Sequence, residues 1–206
     1  MGRPVRGEWL DLRPLEPLHR GHASRLPRRP DRSEHIYEGA IYGVPWFTDA
    51  GMLYYRRDLL EENGFDNPPE TWEELLEMAA QIQENSDVEF GFVFQGANSE
   101  SGVVNGLEYI NSFGGSALDP DDVTIVTIDS PKSAEGLGME RMMVEEGVAP
   151  QSVVNYTEEE SEGAFLRGDA VFCRNWPYMY AVAGDEEASS IGQDQIGVAP
   201  LPRGSG

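Results

Sequence analysis

The stretch IYGVPWFTDAGMLYYRRDLL, residues 41–60, decides how this 206-residue chain folds. It places the aromatic side chains of Trp46, Phe47, Tyr54 and Tyr55 around Asp49, in a run that otherwise has the apolar pattern of a strand. A short helix follows and ends at Asn63 and Gly64, a typical C-terminal signal. Two interpretations of Asp49 are open. It is either a loop acid at a strand end, or part of a site where aromatic rings stack on a flat polar ligand and the acid binds its hydroxyls.

The segment NPPETWEELLEMAAQIQEN, residues 67–85, predicts the first long helix. Thr71, with Glu74 three residues later, forms a capping box. Trp72 and the apolar residues after it recur at the spacing of one helix face. This periodicity predicts that Trp72 belongs to the hydrophobic core and not to a ligand site.

Strands and helices are predicted to alternate along the rest of the chain. Residues 88–94 have the apolar pattern of a buried strand, residues 123–128 are rich in β-branched side chains, and residues 170–174 form a third apolar run. Three more helices are predicted. The first contains the apolar residues Val103, Val104, Leu107 and Ile110 and ends at Gly114 and Gly115. The second begins at Ser130 and Pro131 and ends at Gly147, and the third begins at the capping box of Thr157 and Glu160 and ends at Gly168. This alternation predicts an α/β fold built in layers.

Charge is distributed unevenly along the chain. The net charge is −22, but residues 1–34 hold eight Arg against five acids, which leaves 7 basic and 32 acidic groups in residues 35–206. Such an acidic surface disfavours nucleic acid and anionic membranes as partners and is typical of halophilic proteins. A nucleic-acid mimic or a calcium buffer would have a similar composition. The acids here are scattered over predicted helix faces without a calcium-loop pattern, which favours a solvated acidic surface.

Residues 1–34 differ in composition from the rest of the chain. They are rich in Arg and Pro and show neither a helical nor a strand period. Three interpretations of these residues are open: a basic nucleic-acid-binding arm, a disordered linker, or a sequence translated out of frame. The abrupt change near residue 35 favours the third, so we expect residues 35–206 to form the folded domain. We also expect no membrane span and no signal peptide or lipid anchor in this chain, because no apolar run is long enough.

Catalytic signatures are weak in this sequence. It has no dinucleotide-binding glycine motif, no phosphate-binding loop and no nucleophile elbow. All three histidines, His19, His22 and His35, lie at or before the change in composition, which disfavours a histidine-dependent triad or a zinc site. Cys173 lies in an apolar strand and is expected to be buried. We therefore predict no enzyme activity, no metal site and no cofactor.

Two aromatic segments remain as candidates for a binding site. Trp46 and Phe47 lie beside Asp49, and Trp176 and Tyr178 follow the predicted strand of residues 170–174. In open α/β sheets, ligands bind outside the carboxyl ends of strands, so both segments are predicted to face one cleft. Core packing is the alternative for each aromatic taken alone.

The order of four segments resembles the sugar-binding extracellular solute-binding proteins of ABC importers, of the maltose and trehalose type. The segments are YGVPWFTDAGMLYYRRDLLEENG, PPETWEELLEMA, EYINSFGGSALD, and FLRGDAVFCRNWPY followed by IGVAPLPRG. The resemblance implies a periplasmic-binding-protein-like α/β fold of type II. It also implies that residues 35–206 are a partial solute-binding domain, mostly the second of two lobes, in an incomplete chain.

The resemblance also implies roles for individual residues. Asp49 matches an acid that hydrogen-bonds sugar hydroxyls, and Trp176 matches a stacking tryptophan. Phe47 and Tyr178 match nearby aromatic residues of the family. Glu100 matches an acid in the loop after the strand of residues 88–94, although its neighbour Ser99 replaces the usual aromatic. Trp46 is included because it adjoins Phe47.

The implied function is carbohydrate binding as the receptor of an ABC import system. Its partners would be an oligosaccharide and ABC permease subunits, the protein would be a monomer, and it would work outside the cell or at the cell surface. An inactive fragment of such a protein and a carbohydrate hydrolase remain open as alternatives.

The charge pattern predicts that folding depends on salt. At low ionic strength the surplus of 25 negative charges in residues 35–206, from 32 acids and 7 bases, is expected to unfold the chain by self-repulsion, and added salt is expected to screen it. Circular dichroism across a sodium chloride series measures this. Equal helical signal at low and high salt would contradict the halophilic interpretation.

Overall fold

The computed structural model of the chain describes residues 49–205 and, earlier, only the backbone of two short strands, β1 (Ile36–Tyr37) and β2 (Ala40–Ile41). These two strands pair antiparallel, with Ile36 opposite Ile41. They belong to a unit of residues 1–48 that is separate from the unit of residues 49–206. The predictions for residues 1–34, for the three histidines and for Trp46 and Phe47 fall outside the described residues.

A four-stranded mixed sheet forms the centre of the second unit. Its strands are β3 (Met52–Arg56), β4 (Phe90–Val93), β5 (Ala170–Asn175) and β6 (Ile196–Pro200), arranged in the order β4-β5-β3-β6. The strands β4 and β5 run parallel, whereas β3 is antiparallel to both β5 and β6. The strands predicted for residues 88–94 and 170–174 are confirmed.

Helices cover both faces of this sheet, which confirms the predicted α/β class. They are α1 (Arg57–Glu62), α2 (Trp72–Asn85), α3 (Glu100–Ser112), α4 (Pro131–Glu145), α5 (Glu158–Leu166) and α6 (Met179–Val182). Two 3₁₀ helices span Gln151–Asn155 and Gln193–Gln195.

The predicted helix signals match the observed helix ends. The Thr71 hydroxyl accepts from the Glu74 backbone N–H at 3.2 Å, and the Glu74 carboxylate accepts from the Thr71 backbone N–H at 3.2 Å. The Glu160 carboxylate likewise accepts from the Thr157 backbone N–H at 2.7 Å. Gly168, after α5, has φ of 91°, a left-handed conformation that other residues adopt only with strain.

One hydrophobic core fills the space between the sheet and helices α2, α3 and α4. Trp72 is 1% exposed, stacks on Tyr109 with ring centroids 4.1 Å apart and donates its indole N–H to the Ser112 hydroxyl at 2.9 Å. The sheet contributes Leu53 and Phe172 to the same core. The prediction that Trp72 is a core residue is confirmed.

A second, smaller core lies on the other face of the sheet, under α5 and α6. Tyr54 and Cys173 are opposite each other on β3 and β5, and Phe165 of α5 meets the Tyr54 ring edge-on at a centroid distance of 6.4 Å. Cys173 has no exposed surface, as predicted, and burial raises the pKa of its thiol far above the usual range. It is therefore a packing residue and not a reactive thiol.

The strand predicted for residues 123–128 is wrong. The segment is a turn with a single bridge between Leu118 and Val126, and Val126 is 71% exposed. The preceding acids explain this outcome, because the Asp119 carboxylate accepts from two following backbone N–H groups and the Asp122 carboxylate from that of Thr124. Such local bonds stabilise turns, and β-branched side chains without a neighbouring strand do not override them.

Helix α3 is confirmed, but its buried face differs from the apolar pattern that predicted it. Val103 is 61% exposed, whereas the polar residues Ser101 and Asn105 are buried. The reason is a polar network beneath α3 that needs hydrogen-bonding side chains.

A carboxylate lies in the packing between α3 and α4. Glu140 faces Gly106 and lies close enough to the Tyr109 phenol for its charge to act on it. Among residues 49–205, Glu140 has no hydrogen-bond or ion-pair partner. Burial raises the pKa of Glu140 from 4.5 to about 7.

This raised pKa predicts a pH-dependent stability. The folded protein holds the Glu140 proton more tightly than the unfolded chain, so the stabilising contribution is complete below pH 4.5 and is lost as the pH rises toward 7. At pH 8 the substitution Glu140→Gln is expected to raise the free energy of unfolding by up to about 3 kcal/mol. Urea denaturation at several pH values measures this. The control Glu135→Gln removes an exposed charge from the same helix, and an equal effect from both variants would contradict the prediction.

Candidate functional site

The start of β3 and the end of β5 meet at one edge of the sheet. Met52, the first residue of β3, is opposite Asn175, the last residue of β5. The segments that carry Asp49 and Trp176 therefore leave the sheet at the same edge. Asp49 precedes β3, whereas Trp176 directly follows β5. Antiparallel pairing brings the start of one strand to the end of the other.

An ion pair lies beneath this edge. The Arg174 side chain is 1% exposed and donates from Nε and Nη2 to the two carboxylate oxygens of Glu108, at 2.9 and 2.5 Å. Its remaining nitrogen, Nη1, donates to Gln95 Oε1 at 3.0 Å. A guanidinium bound in this two-pronged way has a fixed plane as well as a fixed position.

Gln95 connects this ion pair to the helices on both faces of the sheet. Its amide nitrogen donates to the Ser161 hydroxyl of α5 at 2.6 Å and to the Arg174 carbonyl at 2.8 Å. Its amide oxygen also accepts from Asn105 of α3 at 3.1 Å. Since Gln95 has no exposed surface, every one of these bonds replaces a bond to water.

Trp176 is held from several directions. The Arg174 Cζ atom lies 3.9 Å from the centroid of its ring, a cation–π contact. Its indole N–H donates to Glu158 Oε1 at 3.1 Å, and its backbone carbonyl accepts from the Tyr54 hydroxyl at 2.8 Å. Trp176 is only partly buried.

Glu158 connects Trp176 to the start of α3. The same Oε1 atom accepts from the Ser101 hydroxyl at 2.6 Å. Burial alone would raise the pKa of Glu158, but the hydrogen bonds from Ser101 and Trp176 outweigh it and hold the pKa below its usual range. Glu158 is therefore an ionised acceptor at neutral pH.

Asp49 and Tyr178 lie near the same edge. Asp49 is exposed, and its carboxylate accepts from the Ala50 backbone N–H at 2.9 Å. Tyr178 is 44% exposed, and partial burial together with the charge of Glu162 raises the pKa of its phenol well above the usual range. Whether Asp49, Trp176 and Tyr178 contact one ligand stays a prediction.

Glu100 is exposed at the first position of α3. Its neighbour Ser101, and not Glu100 itself, reaches Glu158. Four residues of this site were not predicted from the sequence: Glu158, Arg174, Glu108 and Gln95. Arg174 gave one usable signal, since it is a charged residue near the end of the apolar run AVFCRN, which implies a buried partner.

Residues 23–206 match the family described as bacterial extracellular solute-binding proteins. The chain belongs to this family. The α/β fold with strands and helices in this order is therefore a periplasmic-binding-protein-like fold, and the resemblance seen in the sequence is confirmed at the level of the family.

Individual relatives agree with this assignment. A protein of Deinococcus radiodurans named "Probable ABC transporter-binding protein" is 45% identical over 173 residues, which is 82% of this chain and 40% of that protein. The solved structure of maltose-bound T. maritima MalE3 is 46% identical, with a TM-score of 0.76, over 84% of this chain and 43% of that one. A ribitol-bound solute-binding protein of Agrobacterium radiobacter is 27% identical, with a TM-score of 0.71, over 83% and 42% of the two chains.

This solute-binding protein spans about two fifths of the length of these relatives. The relatives are binding proteins and not enzymes, and the family is described as extracellular. Among the residues that the structure describes, no helix is both long and apolar enough to cross a bilayer. Within the same residues, no cluster of three or more His, Cys, Asp or Glu side chains is arranged to hold a metal ion.

Two concave regions of this solute-binding protein lie outside the candidate site. One, of about 470 Å³, is lined by residues between Gly64 and Gln81, and another of about 470 Å³ lies between Met52, Pro177 and Val198. Neither includes Asp49, Glu158 or Trp176. The candidate site is therefore a surface at the sheet edge rather than part of either cavity.

Gly51 is predicted to be required at this edge. A Cβ atom there would overlap the Glu108 carboxylate and lie 2.6 Å from Arg174 Nη2. The substitution Gly51→Ala is expected to lower the free energy of unfolding by about 1–3 kcal/mol, because the ion pair has to shift. Thermal unfolding at constant salt measures this.

The matched control is Gly138→Ala, because a Cβ atom there meets nothing within 4 Å and α4 gains helix propensity. Gly138→Ala is expected to stabilise the protein slightly. Equal changes of the same sign in both variants would show that the packing of Gly51 against the ion pair has no special role.

Proposed function

We propose that this chain forms a carbohydrate-binding surface of the receptor of an ABC import system. Trp176 stacks on a sugar ring, and Asp49 accepts hydrogen bonds from sugar hydroxyls. Tyr178 borders the same surface, and Phe47, Trp46 and Glu100 supply further contacts. These roles deepen the family assignment, which by itself says only that the protein binds a solute.

The fixed position of the Trp176 ring carries this proposal. A core aromatic needs only packing, but Trp176 is partly exposed and still has a cation on its ring and a carboxylate on its indole N–H. When a partly exposed aromatic side chain is already held in one orientation, the entropy cost of binding a ligand is smaller. A flat, fixed, accessible ring next to hydrogen-bond acceptors suits the apolar face and the hydroxyls of a sugar.

The charges at the edge favour a neutral ligand. The Arg174 charge is already neutralised by Glu108, so it is not available to bind an anion. Asp49 is exposed, and Glu158 is held in its ionised form. Both carboxylates accept hydrogen bonds from hydroxyl groups and repel carboxylates and phosphates.

The ligand we propose is an oligosaccharide of the maltose type. The support is the 46% identity to the maltose-bound T. maritima protein, compared with 27% to the ribitol-bound relative. A disaccharide also offers a ring face to Trp176, which an open-chain polyol does not.

The wider role follows from the family. We propose that residues 35–206 form mostly one lobe of a two-lobed receptor, that the protein works as a monomer outside the cell, and that it delivers its sugar to ABC permease subunits. Closure of two lobes around a hinge would complete the site and exclude water. The acidic surface supports the further proposal of a halophilic protein.

The proposal predicts which substitutions weaken binding. Asp49→Ala removes a charged hydrogen-bond acceptor worth about 1.5–3 kcal/mol, so it is expected to weaken maltose binding about tenfold or more. Trp176→Ala is expected to cost a similar factor through lost stacking. Ligand-observed NMR with maltose, trehalose and longer oligosaccharides measures binding by the 206-residue chain even when it is weak.

Tyr180→Ala is the control, since Tyr180 is a 46% exposed aromatic on α6 that lines the neighbouring cavity. It is expected to leave binding unchanged. Sugar binding that persists in both Asp49→Ala and Trp176→Ala would mean that these residues are only loop and packing. No binding of any sugar by the parent chain would favour the inactive alternative, and release of reducing sugar would favour a hydrolase.

A further inference from the structure

The guanidinium of Arg174 has three hydrogen bonds that together define its plane. Two go to Glu108 and one goes to Gln95, and all three are between 2.5 and 3.0 Å. The two acceptors come from different elements, since Glu108 lies on α3 and Gln95 follows β4. The Arg174 plane is therefore fixed by the fold itself and not by the ligand.

The Trp176 ring rests against that plane. The distance from Arg174 Cζ to the ring centroid is 3.9 Å, which is within van der Waals contact. The guanidinium covers one part of the ring and limits its rotation about the side-chain bonds. The hydrogen bond from the indole N–H to Glu158 then selects the direction in which the ring points.

The same ion pair also limits the position of the segment that carries Asp49. Gly51 packs so closely on Glu108 and Arg174 that a Cβ atom would overlap them. Asp49 lies two residues earlier in the chain. The Arg174–Glu108 ion pair is thus in contact with both segments from which the sheet edge is built.

We propose that Arg174, held by Glu108, is a positioning residue that fixes the Trp176 ring in its binding orientation. The inference rests on the proposed sugar-binding function for its consequence, but the position of the ring can be tested without any sugar. Arg174 itself is 1% exposed, so it acts through Trp176 and not by touching the ligand.

Lysine at position 174 separates positioning from charge. The substitution Arg174→Lys keeps the positive charge but loses the planar fork to Glu108 and the flat contact with the ring. The chain contains four tryptophans, so 5-fluorotryptophan labelling gives a ¹⁹F resonance for each, and Trp176→Phe assigns one of them. In Arg174→Lys the Trp176 resonance is expected to shift and broaden, while that of Trp72, in the core, stays in place.

Two further variants complete the design. Glu108→Gln keeps the shape of the acceptor but loses its charge, so it is expected to shift the Trp176 resonance in the same direction by less. It also serves if Arg174→Lys does not fold. Arg56→Lys is the matched control, because Arg56 makes a similar fork to Asp58, at 2.8 and 2.6 Å, at the other end of β3. It is expected to leave the Trp176 resonance unchanged.

A maltose titration then measures the consequence for binding. Arg174→Lys is expected to weaken binding about tenfold, a factor that lies between the values for an exposed and a desolvated cation–π contact. In a Trp176→Ala background the same substitution is expected to change nothing further, because its effect passes through the ring.

Each outcome decides one question. An unchanged Trp176 resonance in Arg174→Lys, or an equal shift of Trp72, overturns the positioning role. Additive losses in the double variant also overturn it. If the Trp176 resonance of the parent chain does not respond to maltose or to the other sugars, the proposed function is overturned. The role of Arg174 is still decided in that case, by the Trp176 resonance of the unliganded variants.

Discussion

The ion pair between the buried Arg174 and the partly exposed Glu108 is the constraint on which this end of the molecule depends. Removing a guanidinium from water is costly unless all its donors find acceptors, and one unpaired partner would destabilise the fold by several kcal/mol. Gln95 supplies an acceptor for the third guanidinium nitrogen, and Asn105 and Ser161 in turn form hydrogen bonds with Gln95. The fold therefore has to hold β5, α3 and α5 in one relative arrangement, which explains why polar residues line the inner face of α3.

Local signals in the sequence predicted much of this fold correctly. The capping boxes at Thr71 and Thr157 and the glycine at position 168 are made by residues a few positions apart, so spacing alone reveals them. The prediction of a strand at residues 123–128 was wrong for the converse reason. Their β-branched composition indicates only that a strand would be tolerated, whereas the pairing that makes a strand depends on a neighbour that the fold does not supply.

The candidate site was only partly predictable. Trp176 and Tyr178 stand out because aromatic residues follow an apolar run, and Asp49 because it is an acid among rings. The residues that hold Trp176 in place cannot be recognised in the same way, since Glu108 and Arg174 are 66 positions apart and Trp176 and Glu158 are 18 apart. No spacing rule connects such pairs. A sequence can show which groups would touch a ligand, but only the folded chain shows which groups hold them still.

The complete burial of Cys173 has a practical consequence. It is the only cysteine in the chain, and its thiol is both inaccessible and strongly disfavoured as a thiolate. Thiol-reactive dyes and spin labels attack thiolates, so the natural chain offers them no target under native conditions. A cysteine introduced at a chosen exposed position, such as that of Val103 or Val123, would therefore be the single site of labelling. Distances and local motions in this protein can then be followed without first removing a native residue.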